Sequence, residues 1–341
     1  MMRIATYNVE WFATLFDNNN RLLNNESWSH RHDVTKSMQI AALGQVFQAL
    51  EADAIMIIEA PDSSHRQSGE VALENFARHF GLRQNKALIG FENDTQQEIA
   101  LLYDPLKMQV YHDPQGIKDD TETPRFDGTF RLDLDVDAEP ENVIFSKPPL
   151  EVALFPNGAP PFRLIGVHAK SKAPYGARNK REEVQISITN RRKQLAQCIW
   201  LRQRVDQHLA EGDSLIVLGD FNDGPGLDEY EKLFGRSGIE IVLGGSKPVE
   251  QRLHDPNAKA LMSPRPHALP TTARFYNQTT KTYMNMLLDY VMLSDDLYHS
   301  VNPQWRIWHP FDDPECFHAD ALCNALLTAS DHFPVTVDLH L

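Results

Sequence analysis

The stretch Leu215-Ile216-Val217-Leu218-Gly219-Asp220-Phe221-Asn222-Asp223 constrains this chain more than any other. Four apolar residues of strand character meet a glycine and then present Asp220 and Asn222 two positions apart. Side chains alternate along an extended chain, so both polar groups emerge on one side of a strand mouth. A carboxylate and an amide fixed there can orient a water and hold a divalent cation. Gly-Asp also opens ordinary turns, and the segment gains its meaning from the others built like it. Residues 3–11 begin as a strand carrying Asn8, and residues 54–59 set five apolar side chains before Glu59. Residues 162–168 end in His168, and residues 287–293 hold Asp289 inside an apolar strand. Ser330-Asp331-His332-Phe333-Pro334 leads into a last strand. Buried strands that each deliver one Asn, Asp, Glu or His describe an active site rather than a core.

The intervening sequence supplies a scaffold. Residues 34–50 place Ile40, Leu43, Phe47 and Leu50 at helical spacing just before the Glu59 strand. Residues 179–210 form the longest periodic stretch, with Val184, Ile188, Leu195, Ile199 and Val205, and feed the Asp220 strand. Strands alternating with helices, plus hairpin-like sequence from 100 to 154, predict an α/β fold of two packed mixed β-sheets flanked by helices. No Pro/Gly/Ser-rich linker divides the chain and site residues come from both halves. One domain spanning 1–341 is therefore expected, with an acidic insertion around 113–145.

These segments resemble the endonuclease/exonuclease/phosphatase superfamily, the deoxyribonuclease I-like metal-dependent phosphodiesterases, in its bacterial nuclease-like branch. The matching text is Thr6-Tyr7-Asn8, Glu59, His168 in His-Ala-Lys-Ser-Lys, Gly219-Asp220-Phe221-Asn222, Leu288-Asp289-Tyr290 and Ser330-Asp331-His332-Phe333-Pro334, in the family's order. The resemblance implies a four-layer α/β sandwich and a catalytic Mg²⁺ or Mn²⁺ bound by Glu59, with Asn8 and Asp331 close by. It makes His332 the activator of the attacking water and Asp289 the residue that fixes its tautomer. Asp220 and Asn222 would orient nucleophile and phosphate oxygens, with Asn8 beside them, and His168 would donate to the phosphate. Chemistry agrees: phosphodiester hydrolysis needs an oriented water, a base near neutral pKa and positive charge on the non-bridging oxygens. Two departures are visible. Ile58 stands where many relatives have glutamine, and Lys147 where bacterial relatives usually have arginine, which loses the bidentate fork. The second carboxylate that backs the phosphate-side histidine falls near Gln97-Glu98, with Glu98 the better chemical candidate.

Charge suggests the substrate. The net charge of −14 excludes a general polyanion-coating protein, yet residues 163–193 hold nine Lys or Arg against Glu182 and Glu183. That basic run begins immediately before His168 and suits a substrate with several phosphates. Lys170 and Lys172 are the expected substrate contacts, alongside Asn222 and His168, while 180–193 either joins them or forms a solvated helix face. Residues 119–141 are acidic and alternate at 131–137; lacking the glycine and terminal glutamate of a calcium hand, they read as a strand with one wet face.

A nuclease is the leading expectation, with nucleic acid as partner. The alternative is a phosphoesterase using the same site on a lipid head group or a small phosphorylated metabolite, and a catalytically dead scaffold is disfavoured by the complete set of site residues. Cys316, Cys323, His318 and His309 lack standard zinc spacing. His30 and His32 read as loop residues, Trp11 as a core residue with stacking on a base as the alternative, and His65, His254 and His267 as loop histidines that could touch substrate without anything singling them out. Three cysteines make no disulfide framework and no apolar run approaches the ~20 residues of a membrane span. The start lacks a signal region, so a cytoplasmic protein without membrane association or an obligate protein partner is expected.

Overall fold

The computed structural model describes residues 1–341 apart from 65–66, 94, 96, 121, 134–140, 225–234, 264–268 and 278–280. The described elements begin with β1 (Met2–Asn8), α1 (Lys36–Leu50), β2 (Ala54–Ala60), α2 (Gly69–Phe80), β3 (Lys86–Ile89), β4 (Glu98–Tyr103) and β5 (Met108–His112). A ribbon of β6 (Phe130–Leu132) and β7 (Glu141–Val143) precedes β8 (Leu150–Pro156), β9 (Phe162–His168), α3 (Lys180–Glu211) and β10 (Leu215–Asp220). Next come α4 (Gly238–Leu243), β11 (Leu253–His254), α5 (Pro256–Met262) and a second ribbon, β12 (Ala273–Asn277) with β13 (Thr282–Met286). The chain closes with β14 (Asp289–Ser294), α6 (Asp295–Ser300), β15 (Gln304–Ile307), α7 (Pro314–His318), α8 (Asp320–Ala329) and β16 (Val335–Leu339).

Two six-stranded sheets result, ordered β15-β16-β1-β2-β4-β3 and β11-β14-β10-β9-β8-β5. β1 with β2, and β9 with β10, are parallel, while the remaining neighbours run antiparallel, so both sheets are mixed as the alternation of strands and helices predicts. Strands apolar on both faces must be covered on both. Ala54, Met56 and Ile58 of β2 share one core with Leu164, Ile216, Leu218 and Val291 of the other sheet. Their alternate neighbours Ile55 and Ile57 pack with Leu43, Phe47, Phe76 and Leu326 of α1, α2 and α8. On the far side, Ile165, Val167 and Val217 pack with Trp200, Leu201 and Val205 of α3. The layers are helix, sheet, sheet, helix. Fully burying each Ile or Leu stabilises by about 1.5–3 kcal/mol. Gly166 lets the sheets approach, since a Cβ there would lie 2.4 Å from Met56 Sδ.

The helices start where their caps allow. Thr35 Oγ1 accepts from Met38 N at 3.3 Å to open α1, and Asn179 Oδ1 accepts from Glu182 N at 3.0 Å to open α3. Gly212, at φ 81, ends α3 in the left-handed region that glycine adopts without a Cβ penalty.

Topology gathers the polar strand ends. Asn8 pairs in register with Ile58 beside Glu59, His168 pairs with Asp220, and Asp220 pairs with Asp289. Asp289 is the first residue of β14 rather than an interior one, and antiparallel pairing brings that start to the same edge. Among the described residues, no helix is long and apolar enough to cross a membrane.

Candidate active site

Glu59 owes its position to an irregularity between β2 and β4. Their register slips from Ile58–Ile99 to Ala60–Glu98, leaving Glu59 as the extra residue of a bulge at φ 63. A left-handed non-glycine residue costs about 1–3 kcal/mol, and bulges at a sheet rim re-aim a side chain. Gln97 Nε2 donates to Glu59 Oε2 at 2.7 Å, and Oε1 lies 4.0 Å from both Lys147 Nζ and His168 Nε2. Burial raises the Glu59 pKa, with Lys147 and His332 pulling the other way.

Asn8 and Asp220 join the two sheets. Asn8 Nδ2 donates to Asp220 Oδ2 at 3.0 Å. Gly219, at φ 137, brings Asp220 against β9; a Cβ there would meet Val167 O at 2.1 Å. Asn222, itself left-handed at φ 50, donates its backbone N–H to Asp220 Oδ1 at 2.7 Å and its Nδ2 to Ala169 O at 3.1 Å. Asparagine tolerates that conformation better than most residues. Burial raises the Asp220 carboxyl, opposed by His332.

His332 Nδ1 meets Asp289 Oδ2 at 2.8 Å, both groups buried. Burial alone would lower the imidazole pKa; the Asp289 charge and hydrogen bond, with Asp220 and Asp331, lift it well above its ordinary value. Thr272 and Ser330 hold this pair in place. Thr272 Oγ1 accepts from Leu288 N and Asp289 N at 3.0 Å each, while Ser330 Oγ donates to Asn8 O at 2.8 Å and accepts from His332 N at 3.2 Å. Ser330 was visible in the Ser-Asp-His text; nothing marked Thr272.

His168 is backed differently from the expectation. Glu98 is fully buried, but it accepts from Asn93 Nδ2 at 2.6 Å and from Asn93 N at 3.4 Å rather than reaching His168. The atom that faces His168 Nδ1 is Lys147 Nζ, at 3.2 Å. His168 Nε2 lies 3.6 Å from Asp220 Oδ2. Burial, then Lys147 and His332, hold the His168 pKa well below its ordinary value.

These residues fit a hard cation. Asn8 Oδ1 and Asp331 Oδ1 are buried with no hydrogen-bond partner among the described residues, and Glu59 adds a carboxylate beside them in the same cleft. Amide and carboxylate oxygens are the ligands a hard divalent ion prefers. Ligand atoms of Asp220, Asp289 and His332 also lie within 4.8 Å of one another. That trio is the poorer cradle, because His332 Nδ1 and Asp289 Oδ2 already satisfy each other.

The sequence matches the Endonuclease/Exonuclease/phosphatase family over residues 5–332. The chain belongs to that family. It is therefore a phosphoester hydrolase, and its members generally use a divalent metal. Among solved structures, truncated TDP2 from Caenorhabditis elegans superposes with a TM-score of 0.51 at 13% identity, covering 98% of this chain and 96% of that one. A family member from Bacteroides thetaiotaomicron gives 0.51 at 14%, covering 98% and 93%. A mannosyl-6-phosphatase of the same bacterium gives 0.48 at 15%, covering 99% of each. At such identities the likeness to the first two concerns the fold. No curated protein matches the sequence.

Around the endonuclease/exonuclease/phosphatase centre lies a cleft of about 1570 Å³. One wall is the ribbon β12–β13. Arg274 sits over the Tyr283 ring at 4.1 Å and the Phe311 ring at 4.8 Å, Tyr276 packs 5.2 Å from Tyr283, and Phe275 packs 5.5 Å from the His332 ring. Tyr283 remains 58% exposed. The same cleft is also lined by Lys172, Lys180 and Arg191.

Several expectations change here. Lys172 lines the cleft, but its ammonium pairs with the buried Asp223 carboxylate. Lys170 does not line it; its backbone is held by Gln197 and Gln194 of α3. Trp11 is 40% exposed at the cleft rather than in the core, at φ 61, with Nε1 donating to Glu10 Oε1 at 2.9 Å. His30 and His32 also line the cleft. His254 instead bonds Asp295 at 2.7 Å, while His65 and His267 lie outside the described residues. Cys316, Cys323 and His309 form no metal-ligating cluster among the described residues. The acidic segment meets the basic helix at Arg192–Glu141, 2.7 Å, and part of it (134–140) lies outside the described residues.

Proposed function

We propose that the protein is a Mg²⁺- or Mn²⁺-dependent phosphodiesterase that hydrolyses nucleic acid, with 1–341 working as one domain. The observation that carries the chemistry is the convergence of Asn8, Glu59, His168, Asp220, Asp331 and His332 on one cleft from both sheets, with Asp289 bonded to His332. Glu59, Asn8 and Asp331 would hold the cation, whose positive charge would offset that of the phosphate oxygens. His332, with Nδ1 engaged by Asp289, keeps Nε2 for the proton of the attacking water. A positioned base of this kind contributes about 10²–10⁴-fold. Asp220 and Asn222 orient water and phosphate, and His168 Nε2 donates to a phosphate oxygen, a contact worth about 10²–10³-fold in comparable sites.

Nucleic acid is favoured over a lipid head group or a small phosphorylated metabolite by the ribbon wall. Exposed Tyr276 and Tyr283 offer ring faces on which bases stack, and Arg274, seated over the Tyr283 ring, adds a cation beside them. The test is hydrolysis of single-stranded DNA, plasmid DNA, RNA, phosphoinositides and sugar phosphates with Mg²⁺ or Mn²⁺, with and without EDTA. EDTA-sensitive cleavage of a polynucleotide is expected. Turnover of only a lipid or a sugar phosphate would replace the substrate, and EDTA-insensitive turnover would replace the chemistry. Tyr283→Ala is expected to weaken oligonucleotide binding by about 1–3 kcal/mol, the worth of one stacked base, while sparing a small chromogenic phosphodiester.

A further inference from the structure

We infer that Lys147 is a positioning residue that fixes His168 in its Nε2–H tautomer. A lysine ammonium has three donors and no acceptor. At 3.2 Å from Lys147 Nζ, His168 Nδ1 must therefore present its lone pair. The ring proton then sits on Nε2, the nitrogen that faces Asp220 and Glu59 in the cleft. A carboxylate in Lys147's place would do the reverse, drawing the proton to Nδ1 and leaving Nε2 an acceptor unless the ring were doubly protonated. Lysine thus gives a neutral donor aimed at the reacting phosphate.

The backbone makes this contact a built one. Pairing of β8 with β9 sets Leu150, the first residue of β8, against Gly166, two residues before His168, and Lys147 lies in the short segment that leads into that strand. Pro148 restricts the backbone of Lys147. On the other side, Phe145 is buried, with its ring 5.2 Å from that of Trp200. Lys147 is consequently held between an aromatic anchor and two prolines, and its side chain is only 14% exposed.

The inference rests on His168 serving as the phosphate donor, but its test does not need turnover. Protein labelled with ¹⁵N-histidine is studied without metal or substrate, and the His168 resonances are identified by their loss in His168→Gln. The parent is expected to show a protonated Nε2 and an unprotonated Nδ1. Lys147→Met should lose that signature, and Lys147→Arg, still donor-only, should keep it. With substrate and metal, Lys147→Met is expected to lower kcat by about 10–100-fold, the usual cost of removing a partner that orients a ring, with KM little changed. A parent ring protonated at Nδ1, or an Nε2–H ring that persists in Lys147→Met, would overturn the assignment. Should Lys147→Met not fold, Lys147→Leu takes its place with the same expected loss, and a parent ring protonated at Nδ1 overturns the assignment without any variant. An Nε2–H ring in a protein whose His168→Gln variant keeps full activity would sink the phosphate-donor role and leave the tautomer assignment standing.

Discussion

Asn8 and Asp220, the last residues of β1 and β10, share a hydrogen bond of 3.0 Å that ties one sheet to the other at the floor of the cleft. Its chemistry depends on one partner being an amide. Asn8→Asp would set two carboxylates against each other in a buried place, where both cannot ionise cheaply. The pair would hold a proton more tightly folded than unfolded, so stability present at low pH would be lost as pH rises through the raised folded value. The expected outcome is a melting temperature that falls, relative to the parent, between about pH 5 and about pH 8, with activity near neutrality strongly reduced. A pH-independent difference between the two melting curves would count against this contact.

The His332–Asp289 pair makes a separate claim. His332→Ala removes the proposed base while leaving a space that small residues tolerate, so turnover should fall by at least about 10²–10⁴-fold with the fold retained. Asp289→Asn keeps the shape but removes the charge that lifts the imidazole. Its pH–rate profile should therefore shift its acidic limb to lower pH. Near-parental activity of His332→Ala, in protein with an unchanged circular dichroism spectrum, would remove the residue from the mechanism.

Glu59 is the carboxylate expected to hold the cation, and its bulge turns it into the cleft. Glu59→Gln keeps one oxygen and removes the charge. The activating concentration of Mg²⁺ or Mn²⁺ should rise by about 10-fold or more, about 1.4 kcal/mol in binding. Metal-induced stabilisation in thermal melts should shrink in parallel, because a ligand that binds only the folded state stabilises according to its concentration relative to Kd. An unchanged metal titration would place the ion elsewhere.

The part of this molecule legible in the sequence is the part written locally. A polar residue that ends an apolar run is visible in one dimension, which is why Asn8, Glu59, His168, Asp220 and the Asp331-His332 pair could be named, and with them the two mixed sheets. What was hidden depends on partners distant in the chain. The Glu59 bulge exists only because β4 pairs one residue short of it. Lys147 reads as a lost phosphate contact until β8 and β9 align and bring it to His168. Glu98 reads as the carboxylate behind that histidine, yet its lone pairs go to Asn93. The basic run promised Lys172 to substrate, but a buried Asp223 takes its charge. Charge reversal at Lys172 would thus report on folding before it reported on binding. Trp11 leaves the core because its left-handed backbone turns the ring toward the cleft.

Glu98 itself offers the last test, one of pH and stability rather than catalysis. Burial pushes its carboxyl up to about 7 from an ordinary value of 4.5, against the hydrogen bonds it receives from Asn93 and the Ser63 backbone. Because the folded pKa lies above the unfolded one, the folded state binds this proton more tightly. The associated stability is complete below the unfolded value and is lost as pH rises through about 7. A glutamine in its place would not titrate. Glu98→Gln can still accept from Asn93 Nδ2 through its one oxygen, and the weaker 3.4 Å contact is surrendered at every pH alike. The slope of the unfolding free energy, not its level, therefore carries the information. Between about pH 5 and about pH 8 the parent should lose stability relative to Glu98→Gln, measured by urea unfolding at each pH. Parallel curves would mean that Glu98 is ionised in the folded protein throughout this range, and that its hydrogen bonds outweigh its burial.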